Sequence, residues 1–194
     1  MAALLIASCT GAGDDGVSSP DEQFARFESY FLNKDDGDPT SDEGLEALLA
    51  LESAALADHA EAQLHLGFML CSGTILPKNR EMGTHWLLLS AQQDNSDAQR
   101  LVAAQFVQRI YEPANVRFDS DAKVNAVRWL EKAMEGGDLE SQSLLSKLLV
   151  QDDGTRERGL RLMQEAAELG NEDAIKSLEL IGQLQGSDSL PTTN

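Results

Sequence analysis

The chain has 194 residues, of which 42% are apolar and 5% are aromatic, and its formal net charge is −18. A surface this acidic repels the phosphates of nucleic acids and the headgroups of anionic lipids, whereas a protein with a basic surface is a plausible partner. Two cysteines, Cys9 and Cys71, provide no disulfide framework, and no stretch approaches the roughly 20 apolar residues that a membrane-spanning helix needs.

The first segment, residues 1–19, combines a short apolar stretch with an acidic, glycine-rich linker. Ile6-Ala7-Ser8-Cys9 resembles the lipobox of a bacterial lipoprotein, in which the cysteine is lipidated after cleavage. The resemblance implies an envelope location, in the periplasm or tethered to the outer membrane. A secretion signal normally has a positive n-region and about 7–15 apolar residues, and neither is present. Either the true start lies upstream, or the segment is a disordered apolar terminus with a free thiol.

The second segment, residues 20–40, is predicted to be an amino-terminal capping helix followed by an acidic loop. Ser19 and Glu22 form a capping box, and Pro20 suits the first helical position. A stripe of aromatic side chains follows on the helix predicted at 20–33, made of Phe24, Phe27 and Phe31, with Tyr30 beside it. We expect this stripe to pack in the core and to cover the open end of the helices that follow.

An acidic loop at 34–44 separates this helix from the next one. Its clustered carboxylates lack the spacing of an EF-hand loop, so a solvated loop is favoured over a calcium site. Thr40 and Glu43 are predicted to form a second capping box, for a helix that begins at residue 42.

The remainder of the chain repeats itself. When Ala62, Ala98, Ser141 and Ala174 are aligned, the neighbouring columns keep their size and polarity although the anchors are 36, 43 and 33 residues apart. Twelve residues before the anchors stand Ala50, Trp86, Trp129 and Leu162, and eight before them stand Ala54, Ser90, Ala133 and Ala166. Four residues before the anchors stand Asp58, Asp94, Gly137 and Gly170, and three before them stand His59, Asn95, Asp138 and Asn171. Four residues after the anchors stand Leu66, Val102, Leu145 and Leu178. Periods of about 20–50 residues indicate a stacked array.

The columns also explain how such a unit folds. One helix ends at a Gly or Asp turn, the next begins at a capping Asn or Asp, and small residues let the two antiparallel helices approach closely. A single hairpin leaves apolar surface exposed, so neighbouring units stack, and we predict an all-α fold, a right-handed α-solenoid. Nine helices are predicted, at 20–33, 42–57, 59–71, 79–93, 96–110, 121–135, 139–150, 155–169 and 172–183.

The same residues resemble the Sel1-like repeat, a relative of the tetratricopeptide repeat. The spacing of its glycines, tryptophan and alanine is found at Gly67, Gly73, Asn79, Gly83, Trp86 and Ala91, and Trp129-Leu130-Glu131-Lys132-Ala133 matches its central stretch. Departures are Leu70 for Tyr, Ile75-Leu76 for Gly-Val, Asn79 for Asp, and Leu162 for Trp. The resemblance implies a solenoid over 41–184, with structural positions Gly67, Gly73, Trp86, Ala98, Trp129, Ala133, Gly137, Ala166, Gly170 and Ala174. The last residues, 185–194, are predicted to be a disordered tail.

Residues that carry chemistry are few. None of His59, His65 and His85 stands three or four residues from another His, Cys or Glu in a known metal-binding pattern, and His59 falls in the capping column. A thiol–imidazole pair at Cys71 is disfavoured because Cys71 lies near a helix end on an apolar stretch. No phosphate loop, nucleotide fingerprint or Gly-X-Ser-X-Gly motif is present. We therefore predict no enzyme activity, no cofactor, no metal site and no catalytic residue.

The resemblance implies a non-catalytic protein–protein interaction scaffold that holds a peptide or protein on a concave face, lined by the first helix of each hairpin. The predicted contacts are polar residues that flank the tryptophan columns, namely Glu46, Glu52, His85, Asn125, Arg128 and Gln164. The acidic balance predicts a partner with a basic contact surface, and we expect a monomer when the chain is free.

Some envelope proteins that resemble this chain are immunity proteins, which neutralise secreted antibacterial effectors such as lipase-type toxins. The tether, the small size and the high charge suit that role. The alternative is a structural adaptor that organises an envelope secretion or export assembly. A hydrolase, as sometimes proposed for cysteine-rich members of the family, is less favoured because no repeat here contains a cysteine pair.

Overall fold

The computed structural model describes residues 18–33, 37–111 and 120–187. Within these ranges the chain forms nine α-helices and no strand, and each helix packs against the next, which gives the predicted all-α repeat solenoid. The helices are α1 (Pro20–Phe27), α2 (Asp42–Leu56), α3 (Ala60–Ser72), α4 (Arg80–Gln92), α5 (Ser96–Tyr111), α6 (Ser120–Glu135), α7 (Leu139–Val150), α8 (Arg156–Glu168) and α9 (Glu172–Ser187). Cys9 and residues 188–194 of the predicted tail lie outside the described residues, and α9 extends beyond its predicted end at 183.

The amino-terminal helix begins as predicted and ends differently. The Glu22 amide donates to Ser19 Oγ (3.2 Å), and the Ser19 amide donates to Glu22 Oε2 (2.9 Å), which completes the capping box. Instead of one α-helix to residue 33, a π-helical turn spans Glu28–Leu32. Within this wider turn, the Tyr30 hydroxyl lies 2.7 Å from Ser41 Oγ, before helix α2. The preceding Phe27 is fully buried.

The predicted cap of α2 is wrong by one residue. Ser41, not Thr40, accepts the hydrogen bond from the Gly44 amide (3.0 Å). Thr40 instead donates its amide (2.8 Å) and its hydroxyl (2.7 Å) to Asp38 Oδ1, and these bonds lower the pKa of that carboxyl. The Asp38 side chain therefore organises the turn, which leaves Ser41 in the capping position.

The turns between the helices of each hairpin follow the repeat columns. Asp58 and Asp94 adopt left-handed backbone conformations with φ of 66° and 63°, and Gly137 and Gly170 do so with φ of 88°. The next residue then caps the following helix: His59 Nδ1 accepts from the Ala62 amide at 3.2 Å, and Asn95 and Asn171 accept equivalent bonds at 2.9 Å. Short polar side chains and glycine tolerate this conformation, which explains the composition of the column.

The small-residue columns form the spine of the array. All eight members of the two columns at the anchor and eight residues before it are fully buried. A third column of small residues, which the sequence pattern had not brought out, lies three residues before the large one and contains Ala47, Gly83, Ala126 and Gly159. A Cβ on Gly83 would stand 2.8 Å from the Gly67 carbonyl oxygen, and one on Gly159 would stand 2.7 Å from the Val150 amide nitrogen. These glycines are required where α3 meets α4 and α7 meets α8.

In the part of the chain that the structure describes, the core forms four clusters that succeed one another along the array. The first, around Phe27 and Leu51, joins α1 to α4, and the last, around Met163, joins α8 and α9. The half-buried Trp129 packs against both middle clusters, one centred on Leu130 and Leu145 and the other on Leu87 and Val102. Trp129 therefore connects neighbouring units, as expected for the large residue of the repeat.

Candidate interaction surfaces

The six side chains predicted to contact a partner all lie on even-numbered helices. They occupy three repeat columns, which pair Glu46 with Asn125, Glu52 with Gln164, and His85 with Arg128. Glu52 and Asn125 are half-buried, and the other four are exposed. Because they are spread over four units, they mark a face along the array and not one compact site.

A groove of about 900 Å³ lies between α4 and α5 and includes one of these residues. Its lining combines His85 and Arg80 with the apolar side chains of Met82, Trp86 and Phe106. An apolar floor with a few polar groups at its border is typical of surfaces that hold a peptide side chain.

A second groove, of about 500 Å³, lies on the odd-numbered helices between α5, α7 and the start of α9. Lys147 crosses it and pairs with Asp173 at 3.1 Å. Ser143 is 3% exposed, and its hydroxyl has no hydrogen-bond partner in the described part of the chain. Because this hydroxyl is itself buried, a partner on this groove would meet its charged side chains. The sequence did not single out Ser143, since it belongs to no distinctive column of the repeat.

Arg100 forms the charged centre of this groove. Its guanidinium lies 2.8 Å from Asp97, 2.9 Å from Glu140 and 3.2 Å from Asp138, although the last contact, through Nε, lacks hydrogen-bond geometry. Burial alone would lower the pKa of Arg100, but the hydrogen bond to Asp97 and the surrounding carboxylates outweigh it and raise the pKa. Arg100 thus stays charged and holds α5 to the start of α7.

The charge of the chain is unevenly distributed. Residues 1–77 contain 14 Asp and Glu against two Lys and Arg, a net charge of −12, and residues 78–194 contain 19 against 13, a net charge of −6. No Lys or Arg stands between Lys34 and Lys78. Among the described residues of that stretch, the one contact of ion-pair length is between His59 Nε2 and Asp21 Oδ1 of α1 (3.2 Å). The amino-terminal helices therefore present carboxylates that are available to an external cation.

The side chains considered for chemistry have structural surroundings. His59 caps α3, and the His65 ring packs in tilted contact against Phe24 and Phe27, with ring centroids 5.6 and 5.5 Å away. The Cys71 thiol lies 3.9 Å from the Arg80 carbonyl oxygen at the α3–α4 crossing, and burial raises its pKa, which makes it a weaker nucleophile. Among the described residues no group of three or more potential ligands could hold a metal ion, and no helix is long and apolar enough to cross a membrane.

Comparison with known families agrees with the fold and with the repeat. The Sel1 repeat model matches residues 60–95, 120–138 and 151–171, which together make up less than half of the chain. The three matches and the fold support a Sel1-like repeat protein, as the sequence predicts. The match at 60–95 begins with α3 and ends after α4. In this matched unit, α4, which carries His85, is the second helix, whereas the sequence-based expectation places the contacts on the first helix of each hairpin.

Two solved structures share the fold. The crystal structure of a Sel1 repeat protein from Oxalobacter formigenes has a TM-score of 0.66 at 22% identity over 84% of this chain. A protective antigen present in uropathogenic Escherichia coli strains, which displays an SLR fold, has a TM-score of 0.63 at 21% identity over 80% of this chain. This chain spans 63% and 32% of the lengths of those two chains. A search among curated proteins found no match.

Proposed function

We propose that this chain is a non-catalytic scaffold that binds another protein through a basic surface on that partner. Sel1 repeats generally mediate protein–protein interaction, and the extended faces of an α-solenoid suit that role. The observation that carries the proposal is the block of acidic residues in the first three helices, which has almost no basic residues of its own. Complementary charge speeds association and makes it sensitive to salt.

Affinity capture tests this proposal directly. The protein is immobilised, an extract of the source cells is passed over it at low salt, and the proteins released by high salt are identified by mass spectrometry. An unrelated folded protein of the same net charge serves as control, because it retains generic cation binders equally well. One stoichiometric basic partner, absent from the control, is the expected result. Recovery of the same proteins from both columns contradicts the proposal.

A sharper form of the proposal makes the chain an immunity protein of the bacterial envelope, anchored through lipid on Cys9. An acidic solenoid would block the active site of a secreted antibacterial enzyme, such as a lipase-type toxin, by covering it. The activity of the captured enzyme should then fall stoichiometrically as the protein is added. Full enzyme activity in excess protein rules this form out. Several envelope components captured together would instead indicate a structural adaptor.

A further inference from the structure

The outer face of α2 carries a stripe of leucines. Leu45, Leu49 and Leu56 are 50%, 60% and 70% exposed. They are separated by four and seven residues, so their side chains lie along one side of the helix. Leucines exposed along one side of a helix form an apolar patch, and such patches mark interaction surfaces.

The other units show that the fold does not need these leucines. The equivalent positions are Glu81, His85 and Gln92 on α4; Val124, Arg128 and Glu135 on α6; and Glu157, Arg161 and Glu168 on α8. All nine are exposed, and only one of them is apolar. The same backbone is thus built with charged and polar side chains at this face, and the leucines of α2 serve a purpose other than folding.

Acidic side chains border and interrupt the leucine stripe. Asp42 and Glu46 flank it on one side, and Glu52 lies between Leu49 and Leu56. Within the described residues, no ion pair or hydrogen bond engages any of these three carboxylates. Leu45, Leu49, Glu52 and Leu56 follow one another at spacings of four, three and four, which is the seam pattern of paired helices.

We propose that the leucine stripe docks an amphipathic helix of the partner protein, with lysine or arginine bordering its apolar side. The inference deepens the proposed function by assigning it a surface. A helix is the fitting occupant because the leucines stand at helical spacing and the backbone of α2 is fully engaged in its own hydrogen bonds. The seam from Leu45 to Leu56 is about 17 Å long, so three turns of the partner helix cover it.

Glu52 determines which helices can bind. When a partner helix covers the seam, the Glu52 carboxylate loses contact with water and must be paired. A helix with Lys or Arg opposite Glu52 supplies the pair, whereas a helix with an apolar or acidic residue there leaves the carboxylate unpaired. Asp42 and Glu46 add attraction at the border, which the absence of Lys and Arg from 35–77 leaves uncancelled.

A synthetic peptide tests the surface without knowledge of the natural partner. The probe is an amphipathic helical peptide with leucines at alternating spacings of three and four and with lysines on both sides, and its binding to the full chain is followed by fluorescence anisotropy. Leu49→Gln/Leu56→Gln should weaken binding at least about tenfold, because it removes apolar contact without changing the net charge. The matched control is Arg161→Gln/Glu168→Gln at the equivalent positions of α8, which also preserves the net charge and should bind as the unaltered chain does.

A second comparison tests whether charge complementarity contributes to the binding of the peptide. A peptide with glutamates in place of the lysines should not bind, and Glu52→Gln should weaken the lysine peptide and flatten its salt dependence. Thermal melts followed by circular dichroism confirm that each variant folds. Equal binding of the peptide to the Leu49→Gln/Leu56→Gln variant and the unaltered chain overturns the proposal, and so does equal binding of the two peptides.

Two further outcomes separate this surface from the proposed function. If sedimentation shows that the unaltered chain dimerises and that Leu49→Gln/Leu56→Gln makes it monomeric, a second copy occupies the stripe and the proposal is overturned. If the captured partner stays bound to the Leu49→Gln/Leu56→Gln variant, the scaffold function stands and this surface is the wrong one. If the Leu49→Gln/Leu56→Gln variant binds neither the captured partner nor the peptide, both the scaffold function and this binding surface are supported.

Discussion

The two ends of the solenoid are built from the same columns and held by different forces. In the carboxyl-terminal part, basic side chains join neighbouring units in the pairs Lys132–Asp94 (2.8 Å), Arg158–Glu131 (2.7 Å), Lys147–Asp173 (3.1 Å) and Lys123–Asp152 (3.3 Å). In the amino-terminal part, α1 to α3 are held by an aromatic and aliphatic cluster, and their carboxylates have few cations nearby. Packing alone therefore sets the architecture, and the surface charge can differ from unit to unit.

This difference assigns different roles to the two ends. Paired charges across units contribute little free energy each when exposed, but they neutralise the surface and fix neighbouring units in register. Unpaired carboxylates repel one another, a cost that is relieved when a basic partner binds or when salt screens them. The difference therefore supports the proposal that the amino-terminal end binds a basic partner.

Removal of an aromatic anchor from the amino-terminal cluster should have the largest effect. Phe27 is fully buried and contacts Phe24 and Phe31 at centroid distances of 5.9 and 5.5 Å. We expect Phe27→Ala to lower the free energy of unfolding by about 3–5 kcal/mol, with little dependence on salt, because the loss is one of packing. Urea titration at two salt concentrations measures it. The control is Leu49→Ala on the exposed face, which should cost less than about 0.5 kcal/mol.

Trp129→Ala should break the connection between the two ends. The ring is half-buried and contacts both middle clusters, so we expect a smaller loss of about 2–3 kcal/mol. Because the contact joins units, the variant should unfold in two transitions where the unaltered chain unfolds in one. Calorimetry and circular dichroism recorded on the same samples reveal this. A single coincident transition in the variant would show that the ring does not couple the units.

Arg100→Gln should weaken the carboxyl-terminal part alone. The substitution leaves Asp97, Asp138 and Glu140 close together without their shared cation, and we expect a cost of about 1–2 kcal/mol. Unlike the loss in Phe27→Ala, this one should shrink as salt rises. Hydrogen exchange followed by mass spectrometry should locate faster exchange in α5 and α7. Faster exchange in α1 to α3 would contradict the division between the two ends.

Much of the fold follows from residues that recur within one sequence. The turn column combines Asp58, Asp94, Gly137 and Gly170, which share only the ability to adopt positive φ, so it predicts a turn that the structure confirms. The capping residues were equally visible because each precedes its anchor by a fixed interval. In contrast, the cap of α2 was misplaced because Thr40 and Ser41 are both good caps, and only the bonds to Asp38 decide between them.

The candidate surfaces were harder to predict, for a physical reason. Binding faces lie where the units differ from one another, so an alignment that shows what the units share does not reveal them. Polarity points to Glu46 and Glu52 as contacts, whereas nothing in an apolar helix shows which of its leucines are exposed, so the leucine stripe is not predicted. The repeat alignment contained the missing signal, since the equivalents of Leu49 are His85, Arg128 and Arg161.

The smallest expected effect concerns one imidazole in the amino-terminal cluster. Burial beside Phe24 and Phe27 lowers the pKa of His65, and the carboxylates of Glu61, Glu28 and Asp97 oppose the shift without cancelling it. The unfolded chain therefore takes up a proton at a higher pH than the folded chain does. Above about pH 6.5 both states are neutral at this residue and the stability is unaffected. As the pH falls below that value, the unfolded state is favoured until the folded state is also protonated.

We therefore expect the free energy of unfolding to fall between about pH 7.5 and pH 5.5 more steeply in the unaltered chain than in His65→Gln. Urea titrations at the two pH values measure both slopes, and the difference between the chains removes the contribution of the many carboxylates, which both share. His85→Gln, at an exposed histidine of α4, should keep the steeper slope. If the His65→Gln variant loses as much free energy of unfolding between the two pH values as the unaltered chain does, protonation of His65 does not destabilise the folded state. Burial against Phe24 and Phe27 would then not lower the pKa of His65.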